Sequence, residues 1–439
     1  MTTFWRIVYG LKNLPKLLTS YEKLIIFALI VVALVTSNLW YRSLTAHWTI
    51  QAVKGGTYTE GIVSNSPQEI EQLIAKLTRI GLVYFDHQNK IKGALAERWE
   101  VTEDGKVYTF YLREKVDAIR VAETYATTPG WQNMNIEAGE NDTLVIRLKQ
   151  PFSLLLSFTS DPIIPAGPFI IENQSSTEIV FTANPDFILG EPHLQRIVLT
   201  FFKDDPAVKA ALQRQEIMGA DRSVGKVSGT SNKKLKLARQ DVLLLNLERD
   251  IFKDKSIREK IIKGQKLDKS ISVVLATSQK PEHLKIANDF AVQAKKQNLS
   301  VSIKSLNDIA LSRDVLIPDN YDLLVTTYSY GYDGDPYPFW HSSQIVDPGQ
   351  NYAGYNSKEA DVLIEQSRLI LDEASRQEKL KQFWSILEND AIAILYPNQT
   401  FSYTISDRLK GEGGGVGAVP ADRFTEAWKW YLKAKKQRD

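Results

Sequence analysis

From Leu24 to Val35 the chain is unbroken hydrocarbon, and Thr36-Ser-Asn-Leu-Trp-Tyr41 extends the run. At 1.5 Å per residue, a helix over 24–41 is about 27 Å long, close to the roughly 30 Å hydrocarbon core of a bilayer. Trp40 and Tyr41 suit the interfacial aromatic belt. Arg6, Lys12, Lys16 and Lys23 stand against a single acid, Glu22, so residues 1–23 are expected in the cytoplasm. A cleaved signal peptide is the competing reading. The long basic segment before the run and the poor cleavage site around Val35-Thr36-Ser37 argue against it. The sequence shows no second span, so everything after Arg42 is expected outside the cytoplasm, in the periplasm or at the cell surface.

A chain of 439 residues suggests about three units of roughly 150 residues each. With 43% hydrophobic and 24% charged residues it should fold rather than stay disordered. The formal net charge of +2 gives no case for nucleic acid as a partner. The absence of cysteine excludes disulfides, thiolate metal sites and a lipid-modified cysteine anchor.

Along the chain, Ser66-Pro67-Gln68-Glu69 reads as a capping box opening a helix whose apolar face is Ile70, Leu73, Ile74, Leu77 and Ile80, with Gly81 at its end. Trp99-Glu-Val, a Thr-Glu-Asp-Gly turn and Val107–Leu112 predict a hairpin. Asp241–Leu247, residues 271–277 and Leu299–Ser305 are expected strands, with an amphipathic helix over Pro281–Gln297. This βαβ pattern predicts a partly parallel sheet. Ser357 and Glu373 open two further helices, and Ala391–Ile405 returns to extended structure. Gly411-Glu-Gly-Gly-Gly-Val-Gly417 reads as linker, and Lys433, Lys435, Lys436 and Arg438 as a fraying basic tail.

The apolar run from Tyr321 to Thr327 leads into Tyr328-Ser-Tyr-Gly-Tyr-Asp-Gly-Asp-Pro-Tyr-Pro-Phe-Trp-His341. Loops at the carboxyl ends of strands in helix-covered sheets commonly bind ligands. Aromatic walls and fixed carboxylates suit an organic ligand with a positive group. The alternative is a rigid turn whose aromatics fill a local core.

Several of these segments, in this order, resemble family 5 of the extracellular solute-binding proteins, the peptide-binding components of ABC importers. Gly55-Gly-Thr-Tyr-Thr-Glu-Gly-Ile62 is similar to the family's opening strand, and Leu95–Arg113 to its most recognisable hairpin. Pro165-Ala-Gly-Pro-Phe169, Phe252-Lys-Asp-Lys-Ser-Ile-Arg258, Trp340-His-Ser-Ser343 and Asn351-Tyr-Ala-Gly-Tyr355 continue the match, which covers about residues 55–410. The resemblance implies an α/β, two-lobed, type II periplasmic-binding-protein-like fold with a ligand cleft between the lobes. Lobe I is expected over 52–240 with a reduced subdomain, lobe II over 241–390, and a return to lobe I over 391–439.

The resemblance also implies an aspartate that pairs with a ligand ammonium near the Asp-Pro step. Many members carry it four residues before the proline, where this chain has Tyr332. Asp333 and Asp335 are therefore the candidates, Asp333 for the ligand and Asp335, directly before Pro336, for the turn. Tyr328, Tyr330, Tyr332 and Trp340 are expected to pack on the ligand, and Asn246 to contact it from beside the lobe crossover. The implied partners are a peptide or small organic solute, ABC permease subunits, and the membrane through the N-terminal helix.

No chemistry is required of such a protein. The histidines show no HExxH spacing, no GxSxG elbow occurs, and Asp333-Gly-Asp335 lacks the other ligands of a calcium loop, so neither a catalytic site nor a cofactor is expected. The alternative to import is a sensor or envelope scaffold that keeps the fold.

Overall fold

The computed structural model describes residues 19–44, 48–63, 66–132 and 134–438. The basic segment expected in the cytoplasm lies, up to residue 18, outside the described residues. The chain forms two compact units, residues 1–53 with 433–439 and residues 54–432.

In the first unit, Ser20–Leu44 is one helix. Its stretch Ser20–Tyr41 is long and apolar enough to cross a membrane, by length and composition, and none of it is covered by protein. Trp48–Val53 pairs antiparallel with Lys433–Arg438. The basic tail is thus a strand rather than a fraying end. Its backbone is satisfied by a partner almost 400 residues earlier in sequence, too remote for local composition to reveal.

The second unit is built on an eleven-stranded mixed sheet. Ten of the strands follow one another across the sheet: Leu299–Leu306, Ile271–Ser278, Leu323–Ser329, Thr230–Leu245, Ala393–Ser406, Gly219–Ala220, Thr57–Ile62, Arg196–Phe201, Glu178–Ala183 and Phe169–Gln174; the eleventh, Gly415–Gly417, pairs with Thr230–Leu245 off this path. Ile271–Ser278 runs parallel to both Leu299–Leu306 and Leu323–Ser329, as the βαβ pattern predicts. Two long strands, Thr230–Leu245 and Ala393–Ser406, pair antiparallel from Thr230↔Ser406 to Leu244↔Ala393, with irregularities between Lys236 and Val242. They carry the sheet from one lobe into the other.

The crossing strand Thr230–Leu245 shows why the lobes separate. In its first half only Leu235 and Leu237 are buried, in a core shared with Tyr58, Phe181, Tyr403 and Trp430. In its second half Val242 and Leu244 point into one core with Tyr328, Trp340 and Phe383. Leu243 and Leu245 point into another, with Phe252, Leu275 and Phe290. A strand covered on both faces reads as continuous hydrocarbon, which is why only this half stands out in the sequence. Lys358–Leu369 and Glu373–Asp390 are helices of the first of these two cores, and Pro281–Lys295 is a helix of the second.

A four-stranded antiparallel sheet of Ala96–Val101, Val107–Leu112, Thr143–Arg147 and Asn135–Ala138 forms a subdomain with the helix Ala118–Thr127. The expected hairpin turns at Gly105, whose φ of 65° suits glycine, with Thr102 Oγ1 donating to Asp104 Oδ1 at 2.6 Å.

The helix Pro67–Thr78 starts where the sequence places it, with Ser66 Oγ accepting from Glu69 N at 3.4 Å. It ends earlier than expected, at an Arg79 C-cap. Gly81 serves a different purpose, since a Cβ there would stand 2.4 Å from the Thr159 carbonyl oxygen. The glycine-rich run is likewise not linker. Gly415–Gly417 pairs with Leu235–Leu237, and a Cβ on Gly413 would fall 2.1 Å from the His87 ring. The glycines permit close packing rather than flexibility.

Candidate functional site

The central loop divides into a buried part and a part that faces the cleft. Tyr328 is 1% exposed, stacks on Phe339 with ring centroids 4.3 Å apart, and donates its hydroxyl to the Gln350 carbonyl at 3.2 Å. Trp340 is wholly buried, and its Nε1 donates to the Tyr330 hydroxyl at 3.3 Å. Tyr330 itself packs edge-on against Trp384. These three rings fill the core beneath the loop, where the apolar interior holds them and their polar tips are satisfied internally. His341 caps the following turn: Nδ1 accepts from Ser343 N at 3.1 Å, leaving Nε2 to donate to Glu365 at 3.2 Å.

Asn246 is also turned inward. Its Nδ2 donates to Asp319 Oδ1 at 2.9 Å and to the Tyr321 carbonyl at 3.0 Å, and its Oδ1 accepts from Glu248 N. These bonds tie together the loops at the end of the strand Thr230–Leu245.

Asp335 Oδ1 accepts from Tyr337 N at 3.1 Å, and Arg368 Nε stands 3.4 Å from Oδ2. It organises the turn, the role the Pro336 context suggests. Asp333 faces the Ser157 hydroxyl and the Arg376 guanidinium, and burial pushes its carboxyl up to about 6. Arg376 also donates to the Asp333 carbonyl. Neither aspartate lines the cavities described next. Tyr332 does reach the cleft. It stacks on Phe85, centroids 4.3 Å apart, and its hydroxyl approaches Asp422; burial and that carboxylate push its pKa far above the usual phenol range.

Two chambers lie on either side of the helix Pro67–Thr78, the first between the lobes and the second on the lobe I side of the cleft, where Tyr332 is its one lining residue from 241–390. The first, about 470 Å³, is lined by Glu69, Asp221, Arg222 and Arg423 on one side and by Lys280, Glu282 and Thr327 on the other. The crossing strands supply Arg239, Asp241 and Gln399 to Phe401. The second, about 400 Å³, is bounded by Lys76, Tyr84, Phe85, Asp161, Phe187, Asp422, Trp428 and Tyr332. Both fall in the size range of small-molecule sites, roughly 300–1,000 Å³. A wider groove of about 790 Å³ beside the helix Ala118–Thr127 is lined only by residues 95–188, so lobe closure does not bear on it.

Most charges of the first chamber are already paired. Arg423, 2% exposed, donates through Nε to Glu60 Oε1 at 2.9 Å, and Tyr58 donates to the other Glu60 oxygen at 2.7 Å. Arg222 is held by Asp221 at 3.0 Å and Asp205 at 2.6 Å. Asp241 accepts from Thr327 Oγ1 at 2.6 Å and Gln399 Nε2 at 2.7 Å, with His283 Nε2 at 3.4 Å. Burial alone would raise this carboxyl, but those donors outweigh it and hold it below its ordinary value. Thr327 donates to Asp241, so its oxygen is free to accept from His283 Nε2 at 2.8 Å, and His283 Nδ1 then accepts from Ser278 at 2.7 Å. Among the described residues, Arg239 and Glu282 line the chamber without an ion-pair partner, and the buried Nε of Arg239 has no hydrogen-bond acceptor.

The lobes also meet beyond the chambers. Ser153 N donates to the Arg368 carbonyl at 2.7 Å, and the Arg368 guanidinium lies over Phe152 and Tyr337, 5.0 and 4.2 Å from the ring centroids.

Sequence reasoning missed Arg239, Glu282, Arg423 and Asp161. None belongs to a local motif, and each gains meaning only from residues far away in sequence.

Residues 120–264 match the family described as Bacterial extracellular solute-binding proteins, family 5 Middle. The Dipeptide-binding protein DppE of Bacillus subtilis (strain 168) is 30% identical over 166 residues, which make up 36% of this chain and 29% of that protein. The chain spans less than half the length of the curated relatives it matches. The oligopeptide-binding protein AppA from Bacillus subtilis, solved with a nonapeptide, superposes with a TM-score of 0.70 at 18% identity, over 87% of this chain and 100% of that one. The ABC transporter substrate binding protein CtaP from Listeria monocytogenes superposes with a TM-score of 0.74 at 16% identity, over 86% and 99%. The fold is thus the two-lobed α/β architecture of type II periplasmic binding proteins, with its cleft where the crossing strands run. Its middle segment is thus similar to the bacterial extracellular solute-binding proteins, family 5, and the whole chain shares the fold of the solved binding proteins.

Proposed function

We propose that this protein captures a small zwitterionic solute, a short peptide or a compound of similar charge pattern, in the cleft between its lobes and presents it to the permease subunits of an ABC importer. Lobe I takes residues 54–240 and 391–432, and lobe II residues 241–390. The helix Ser20–Leu44 tethers the protein so that the lobes work outside the cytoplasm. The binding of dipeptide and nonapeptide by relatives named above supports the solute class.

One observation carries the reading. The first chamber is walled by both lobes and by the strands joining them, and it offers one cation and one anion, Arg239 and Glu282, without ion-pair partners among the described residues. A ligand carboxylate would meet Arg239 and a ligand ammonium Glu282. Binding would then bridge lobe I and lobe II, the differential contact a closing hinge requires. Asp333 and Asp335 are assigned to holding the loop and the facing lobe, because both are engaged there.

Titration calorimetry of the full chain in detergent with di- to tetrapeptides tests this. Losing one partner of a desolvated charge pair costs about 2–5 kcal/mol, and about 1.4 kcal/mol is tenfold in affinity. Arg239→Gln should therefore weaken binding at least about tenfold. Amidating the ligand's carboxyl end should cost the native chain heavily and the variant little. Failure of every peptide to bind, or equal losses from amidation in both proteins, would overturn the proposal.

A further inference from the structure

The second chamber differs in chemistry from the first. Its walls are aromatic: Tyr84 and Phe187 pack on Trp428 with centroids 5.4 and 5.3 Å apart, and Phe85 is stacked on Tyr332. Its two cations are both engaged, Lys76 with Asp422 and Arg79 with Glu71 at 2.8 Å. Asp422 is further fixed by accepting from Ala418 N and Val419 N at 2.7 and 3.0 Å. Asp161 alone remains. Among the described residues its carboxylate is in no ion pair and no side-chain hydrogen bond, and it is exposed to the chamber rather than sealed in the core.

We propose that this chamber binds an organic amine with an aromatic or bulky apolar substituent, whose ammonium pairs with Asp161. The proposal rests on the cleft being a solute site, and it names a second ligand class within it. Asp161 offers an accessible carboxylate beside aromatic walls, and an ammonium with an apolar body matches both features at once: the charge is paired and the rings are covered. An anion would meet no available cation. Burial pushes the Asp161 carboxyl up to about 6, with Asp422 adding to the rise and Lys76 opposing it. The group is therefore still ionised at neutral pH and gains most from a cation that excludes water. A metal ion is a poorer occupant, because no group of three histidine or acidic side chains is gathered among the described residues.

The test compares phenethylamine with its neutral counterpart 2-phenylethanol by calorimetry on the full chain in detergent. The native protein should prefer the amine by at least tenfold, a comparison that needs no variant to fold. Asp161→Asn, nearly isosteric, should bring the two ligands within about twofold of each other. Equal affinities in the native chain, or an undiminished preference in Asp161→Asn, would overturn the proposal. Peptide binding that persists in that case would leave the first chamber's function standing, so the two failures are separable.

Discussion

Burial pushes the Asp333 carboxyl up to about 6, against about 3.9 for an aspartate in an unfolded chain. The folded state therefore holds a proton that the unfolded state has released between those two values. Above about pH 6 this is a penalty on folding, and the penalty is relieved as pH falls towards 4. Asp333→Asn removes the group, so it should stabilise the protein at pH 7.5 and lose that advantage near pH 4.5. Because Asp333 is only partly buried, the gain at pH 7.5 is expected at about 1–2 kcal/mol rather than the full value of a two-unit shift. Denaturant midpoints at the two pH values check this, and a gain independent of pH would contradict it. Glu426 stays out of the window: against burial, bonds from His87 and Lys429 hold it at about 2, so its contribution is lost only in stronger acid. Of these residues, Asp335 was legible because a proline follows it. The work of Asp333 was not, since Ser157 and Arg376 lie 176 and 43 positions away.

Elements were readable where one face of a helix or strand declares itself. Ser66 and Pro67 mark a helix start by local hydrogen bonding alone, and the Val242–Leu245 run marks a strand covered on both faces. The first half of the same strand, Thr230 to Gln240, is rich in lysine and reads as surface, because what makes it a strand is its partner at 398–406. Gly411–Gly417 failed for the same reason: packing against His87 and pairing with Leu235–Leu237 are tertiary facts. The N-terminal helix is the opposite case, legible from composition but open in its fate, since a signal sequence has the same character. The proposed tether requires that this helix, Ser20–Leu44, stay on the mature chain. N-terminal sequencing of membrane-extracted protein should find residues upstream of Leu24, and mature chains beginning near Ser37 would contradict the tether.

At the scale of residues 54–432, two long strands make one sheet out of two lobes, and the cleft forms where their polar midsections, Arg239 to Asp241 and Gln399 to Phe401, are left between apolar cores. This arrangement explains why the sequence announced a ligand loop at 328–341 but the chambers are built mostly from elsewhere. The aromatics of that loop are anchors for lobe II, and only Tyr332 crosses to the facing lobe. The central claim is that the first chamber holds a solute with both charges. Mass spectrometry of material released by denaturing the purified full-length protein tests it most directly. The account predicts a small solute carrying a carboxylate and an ammonium, recovered near one per chain and largely lost from the Arg239→Gln, Glu282→Gln double variant. The same solute recovered at the same yield from that double variant would contradict it.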